Sequence, residues 1–168
     1  MSIEINKPAG DFGGYERNSE MLAPADDELT KVGPGTPCGE YLRRYWMPVA
    51  MTQQLTDLPL RIRILGEDLV LFRNKSDQFG LLHLNCSHRN ASLEYGIVEE
   101  KGLRCCYHGW LYDVDGTIIE AGGEPPESKI PQEVRHGAYP VIEFKGLIFT
   151  YMGPAAETPA FPVLDHFD

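Results

Sequence analysis

At 168 residues, 42% of them apolar, the chain is long enough for one domain with a real core. Its 25 acidic against 15 basic residues leave a formal charge of −10, which argues against nucleic-acid binding because no basic patch exists to displace counterions from a phosphate backbone. No apolar run approaches the ~18 residues of a membrane span, and the N-terminus, Met1-Ser2-Ile3-Glu4-Ile5-Asn6-Lys7, has no signal-peptide apolar region, so the sequence reads as soluble and cytoplasmic, with no membrane partner.

Residues 1–27 are mixed, Gly-rich and then acidic, with turn signals at Gly10-Asp11 and Gly13-Gly14 and an acidic end at Asp26, Asp27 and Glu28. They read as a loosely ordered extension. Gly39 to Arg44 suits a short helix. Arg43, Arg44, Arg61 and Arg63 are the nearest thing to a basic cluster and read as solvated surface. Apolar or alternating runs follow at 46–52, 59–64, 69–73 and 79–84, punctuated by Asp57-Leu58-Pro59, Gly66-Glu67-Asp68 and Asn74-Lys75-Ser76-Asp77. Further runs come at 103–105, 110–113, 117–119, 138–144 and 147–152. Between them, Asp113-Val114-Asp115-Gly116 holds a fragment of a calcium loop without its later ligands and reads as a tight turn, and Lys145-Gly146 reads as a hairpin. There is no Gly-x-Gly-x-x-Gly segment and hence no dinucleotide site. Many short, closely spaced strands imply an all-β fold, an antiparallel sandwich or barrel.

Two stretches among these runs, Cys86-Ser87-His88 and Cys105-Cys106-Tyr107-His108, each offer one thiolate and one imidazole. One Cys and one His per loop is what a Rieske 2Fe-2S cluster needs, both cysteines binding one iron and both histidines the other. Exchanging two anionic thiolates for neutral imidazoles raises the reduction potential to roughly −150 to +300 mV, against about −400 mV for all-cysteine plant-type clusters. Such a chain holds and passes single electrons. Zinc also accepts two Cys and two His, as in a zinc-stabilised interaction module. Zinc fingers, however, group Cys with Cys and His with His, and the interleaved order here favours two metals. Cys38 and Cys106 are left over and are expected to be free thiols.

With their flanks, Cys86-Ser87-His88-Arg89-Asn90-Ala91-Ser92-Leu93 and Cys105-Cys106-Tyr107-His108-Gly109-Trp110 resemble the Rieske domain of aromatic-ring-hydroxylating oxygenases, whose usual patterns are Cys-Pro-His-Arg-Gly-Ala and Cys-x-Tyr-His-Gly-Trp. Ser87 and Asn90 depart from them, at positions that are not ligands; Asn is the residue best able to replace a glycine of positive φ. Respiratory-chain Rieske proteins carry an extra Cys in each loop. Ala91 stands at the first of those positions and Cys106 lies one residue early for the second, which removes that class. Similarity to phthalate 4,5-dioxygenase-like oxygenase components extends over roughly residues 28–155.

The resemblance implies a Rieske-type antiparallel β-sandwich or barrel over 45–152, with a small cluster-binding subdomain (loops 85–96 and 105–110). An N-terminal extension with a short helix, 1–44, precedes it, and a Pro-rich connector toward a catalytic domain, 153–168, follows. It implies Cys86, His88, Cys105 and His108 as cluster ligands, with Arg89, Asn90, Tyr107, Gly109 and Trp110 around them. Gly109 is expected to permit close backbone approach, Trp110 to shield the cluster and anchor the core, and Tyr107 to hydrogen-bond near it. Surface-facing nitrogens of His88 and His108 would couple electron to proton uptake. The implied donor is an NADH-dependent flavin/iron-sulfur reductase, and the implied acceptor a mononuclear Fe(II) in an oxygenase catalytic domain, within a homotrimer, serving aromatic hydrocarbon catabolism. The local motif of that second iron has no counterpart here, and His83, His136 and His166 read as ordinary surface or half-buried residues. The chain by itself is therefore not expected to hydroxylate. The alternative is a stand-alone Rieske ferredoxin-type carrier.

Overall fold

The computed structural model describes residues 26–162. The early glycine turns and His166 lie outside the described residues. Leu65 and Gly66 take φ of 45° and 82°, the double left-handed turn of a two-residue hairpin, and fold β2 (Leu60–Ile64) onto β3 (Glu67–Arg73). The Asn74 side chain accepts from the Ser76 and Gln78 amides, at 3.0 and 2.9 Å, and turns the chain into β4 (Phe79–His83). The late strand β9 (Ala138–Tyr139) completes an antiparallel sheet in the order β2-β3-β4-β9. A second sheet joins β1 (Met47–Met51), β11 (Leu147–Thr150) and β10 (Val141–Phe144), in the order β1-β11-β10. Lys145 and Gly146, with φ of 51° and 84°, close its hairpin as expected.

The run expected as one strand over 138–144 is two. Pro140 has no N–H for a ladder, so β9 pairs with β4 while β10 turns away to pair with β11. The freed Pro140 carbonyl accepts from the Thr150 hydroxyl at 2.9 Å. The third sheet consists of β5 (Ile97–Val98), β6 (Leu103–Arg104), β7 (Leu111–Tyr112) and β8 (Ile118–Glu120) in sequential order. Between β7 and β8 the Asp113–Gly116 segment makes the expected tight turn, with Gly116 at φ 81° and its amide donating to the Asp113 carbonyl.

Leu69, Val70, Leu71 and Phe72 are all fully buried, because the first large sheet is covered on both faces. Leu69, Leu71 and Leu81 pack with Ile148 and Met152 toward the sheet of β1, β11 and β10. Val70, Phe72, Leu82 and Leu84 pack on the other side with Cys86, Leu93, Leu103, Cys105, Trp110 and Tyr112. The small sheet and its loops thus share one core with the back of the large sheet.

Among the described residues two helical segments precede β1. The acidic stretch expected to be loose forms the single-turn helix α1 (Asp27–Thr30), because the Asp26 carboxylate caps the Glu28 amide. Helix α2 (Pro37–Leu42) begins two residues before its expected start, since Thr36 caps it and Pro37 suits a first helical position. Arg43, expected on a solvated surface, is only 5% exposed. Its guanidinium donates to Glu67 at 2.5 Å and to the Leu65 carbonyl at 2.9 Å. Glu67 also accepts from the Tyr139 hydroxyl at 2.7 Å and lies 3.5 Å from the His83 ring. Burial and this carboxylate push the Tyr139 phenol up to about 12. Breaking a buried pair leaves one partner uncompensated, so Arg43→Met should cost about 3 kcal/mol, read as a melting temperature lower by roughly 6–10 °C.

The short helix α3 (Ile130–Glu133) was not foreseen. The described part of the expected connector lies against the second sheet: Trp46 donates to the Pro159 carbonyl at 2.9 Å, and the Phe161 ring sits 5.1 Å from that of Phe149. No helix among the described residues is long and apolar enough to cross a membrane.

Candidate metal centre

The two loops that carry the Cys and His pairs are built alike. In the first, the Cys86 amide donates to the Ala91 carbonyl and the Asn90 amide returns to the Cys86 carbonyl, both at 2.9 Å. In the second, the Cys105 amide donates to the Trp110 carbonyl at 2.8 Å and the Gly109 amide returns to the Cys105 carbonyl at 3.1 Å. The residue four after the cysteine has positive φ in both, 56° at Asn90 and 74° at Gly109. This accounts for Asn at a position where the resembling family has Gly, as expected from the sequence. At Gly109 no other described part of the chain comes within 4 Å of a Cβ built there, and its φ by itself favours glycine. Chain meets chain closely at Gly122, where a Cβ would lie 2.5 Å from the His108 carbonyl.

These turns bring the four donors together as two pairs. Cys86 and Cys105 are 1% and 3% exposed and belong to the core. Burial, with the Cys86 sulfur beside it, pushes the Cys105 thiol up, so a nearby cation is what would ionise it. On the open side the His88 and His108 rings lie 4.7 Å apart, and together with Arg89 they line a surface pocket bounded by Gly122, Gly123 and Glu124. His88 Nδ1 is buried without a hydrogen-bond partner, as a nitrogen reserved for a metal would be. Burial, followed by the neighbouring His88 and Arg89, lowers the His108 pKa, favouring the neutral imidazole that ligates metals. Among the described residues no three His, Cys, Asp or Glu side chains gather around a single-ion position. A sulfur pair and an imidazole pair suit a two-iron group better than one tetrahedral zinc.

Trp110 anchors the core as expected. It is 3% exposed, and its indole stacks on the His88 ring with centroids 4.7 Å apart and planes within 1°. Tyr107 is exposed and lays its ring against His108 at 3.7 Å; the phenol that reaches a cysteine is that of Tyr112, 2.9 Å from Cys86 Sγ. Burial and the Cys86 sulfur keep the Tyr112 hydroxyl protonated far above the usual tyrosine range. Toward a metal-bound thiolate it can only donate.

Arg104 and His136 also enter the site. Arg104 donates to the Gly109 carbonyl at 2.7 Å while gripping Glu99 at 2.5 and 2.9 Å and meeting Glu120 at 2.8 Å, so the second loop is tied to its own stem. His136, expected at or near the surface, is 4% exposed; its Nε2 lies 2.9 Å from the His83 carbonyl and its Nδ1 2.6 Å from the Ser87 hydroxyl. A carbonyl only accepts, so Nε2 carries a proton, and burial lowers the ring's pKa, leaving Nδ1 to accept from Ser87. Arg104 had a sequence signal, its place directly before Cys105. Tyr112 falls within the run at 110–113 with nothing to single it out, and His136 stands 49 positions from Ser87.

The Arg104 contact holds the Glu99 carboxyl below the usual carboxylate range. A lowered folded-state pKa contributes stability that is complete above the unfolded value, about 4.3, and is lost as pH falls through the folded value. The parent should therefore melt above Glu99→Gln at about pH 6, with the gap closing below about pH 4. Melting curves over that range test this.

A family model described as the Rieske [2Fe-2S] domain matches residues 45–139. The oxygenase subunit of tert-butanol monooxygenase / tert-amyl alcohol desaturase from Aquincola tertiaricarbonis is 55% identical over 157 residues, covering 93% of this chain and 33% of the relative. The phthalate 4,5-dioxygenase oxygenase subunit of Pseudomonas putida is 41% identical over 145 residues, covering 84% and 33%. A crystal structure of dicamba monooxygenase superposes with a TM-score of 0.66 at 28% identity, covering 74% of this chain and 40% of that one. The chain spans about a third of the length of the curated relatives it matches.

Proposed function

The chain belongs to the Rieske [2Fe-2S] domain family, and from that premise we propose that Cys86 and Cys105 bind one iron of its cluster and His88 and His108 the other. When bound, the Rieske-type cluster accepts and releases one electron at a time, and electron transfer is what the chain does. The observation that supports this ligand set is the pairing of donors: two buried sulfurs on the core side and two imidazoles 4.7 Å apart on the open side. Around them, Trp110 and Tyr107 cover the imidazoles, Asn90 and Gly109 let the two loops turn, and Arg89 faces the open pocket. Tyr112 supplies a hydrogen-bond donor to sulfur, and Arg104 fixes the second loop.

In this reading 45–152 is the electron-transfer unit. The pairing of β11 with β1 supports an end beyond 139, past Thr150. Residues 1–44 serve as an N-terminal extension and 153–168 as a connector. Electrons enter from an NADH-dependent flavin/iron-sulfur reductase and leave toward the mononuclear Fe(II) of an oxygenase catalytic domain, in a homotrimer. The relatives support this by their names, which range from a tert-butanol monooxygenase to a phthalate dioxygenase, while this chain covers 33% of each. What such different oxygenases have in common is the electron supply. A cytoplasmic setting fits four cysteines without a disulfide.

The test is the purified protein. About two iron and two sulfide per chain, a red-brown colour and a low-temperature EPR signal on reduction are expected. A colourless protein with one zinc would overturn the reading.

A further inference from the structure

Ser87 lies between two proposed ligands, Cys86 and His88, so a rotation of its backbone displaces both donors at once. Its hydroxyl is 2.6 Å from Nδ1 of the buried His136. We propose that His136 is a positioning residue for the first cluster loop, acting through Ser87. The inference rests on the ligand set proposed above.

The segment bearing His136 is pinned from both sides. The His136 amide donates to the Gly116 carbonyl at 2.9 Å, and the Gly137 carbonyl accepts from the His83 amide at 2.8 Å. A Cβ at Gly116 would stand 2.1 Å from the His136 carbonyl, and one at Gly137 would stand 2.3 Å from the His83 ring, so the backbone there is closely packed. The imidazole is fixed in turn by its Nε2 bond to the His83 carbonyl. Its face lies 4.5 Å from the ring of Tyr112, the residue whose hydroxyl reaches Cys86. His136 thus touches both neighbours of the Cys86 sulfur: the next residue in the chain, and the phenol that donates to it.

The two loops are therefore held by different devices. Arg104 ties the second loop to its own stem through the Gly109 carbonyl, whereas the first is tied to a distant segment through a side chain. The usual loop pattern places Pro where this chain has Ser87, and proline fixes its own φ through its ring. A serine has no such restraint, and the bond to a rigidly seated imidazole supplies it. Ser87 is exposed, so its hydroxyl can be removed without opening the core.

The experiment uses the full chain loaded with its cluster and compares the parent with Ser87→Ala, Ser87→Thr, His136→Leu and Ser87→Ala/His136→Leu. The readouts are iron release to a chelator, the EPR g-values of the reduced form and the melting temperature. Ser87→Ala should release iron about fivefold faster, the worth of one ordinary hydrogen bond, with shifted or broadened g-values and a melting temperature within about 4 °C of the parent. Ser87→Thr, which keeps the hydroxyl, should match the parent, and the double variant should release iron no faster than His136→Leu alone. Ser87→Ala indistinguishable from the parent, or effects that multiply in the double variant, would overturn the inference. If His136→Leu does not fold, the Ala and Thr variants decide the matter alone. A parent with no 2Fe-2S signal would overturn the proposed function itself.

Discussion

Cys105→Ala should yield a protein that retains essentially no cluster. Iron retention should fall more than about 100-fold, since loss of mere outer partners of a metal ligand already costs about 10–100-fold. The second consequence is on stability. Cys105 is 3% exposed and packs with Leu103, Trp110 and Tyr112 in the shared core, so the change removes a buried side chain as well as a thiolate. Metal binding is coupled to folding in such a site, and the variant should melt well below the loaded parent. Iron and sulfide analysis with calorimetry measures both. Cys106→Ala, one position along, is the control: that side chain is exposed, and the variant should stay red-brown. Loss of colour in Cys106→Ala and not in Cys105→Ala would reverse the assignment of the second loop.

Tyr112→Phe should keep the cluster and lower its reduction potential by about 60 mV. Reduction adds negative charge, and a donor 2.9 Å from Cys86 Sγ stabilises the more negative state. A hydrogen bond to a charged acceptor is worth about 1.5–3 kcal/mol, of which the part felt differentially by the two redox states corresponds to roughly a factor of ten, or about 59 mV for one electron. Phenylalanine preserves the ring that packs against His136 and Trp110, so the melting temperature should hold. A potentiometric titration showing no shift would remove Tyr112 from the list of residues that tune the centre.

What could be read from the sequence was what is local. The four proposed ligands stand out because each loop presents its donors within a few residues, and Asn90 could be matched to a positive φ because that preference belongs to the residue itself. The strand at 60–64 follows from an alternating run, and those at 67–73 and 79–83 from continuous apolar runs bounded by turn residues. Strand β5 and helix α3, at two and four residues, are too short to show a pattern. Arg43 defaulted to the surface because charge usually does; the approach of Glu67 and the Leu65 carbonyl makes its burial tolerable. His136 and Tyr112 carried no signal, since their roles arise when a turn at Gly116 and a strand broken at Pro140 bring distant segments behind the first loop.

The sheet of β3 and β4, buried on both faces, has a consequence for how the molecule comes apart. Leu69 and Leu71 face one core while Val70 and Phe72 face the other, so the same backbone closes both. Unfolding of either side exposes that backbone to water, and the two sides should melt as one cooperative unit, with the amides of Leu69 to Phe72 among the last to exchange their hydrogens. Iron drawn from the loops should then be felt at the sheet of β1, β11 and β10, none of whose residues is among the proposed ligands.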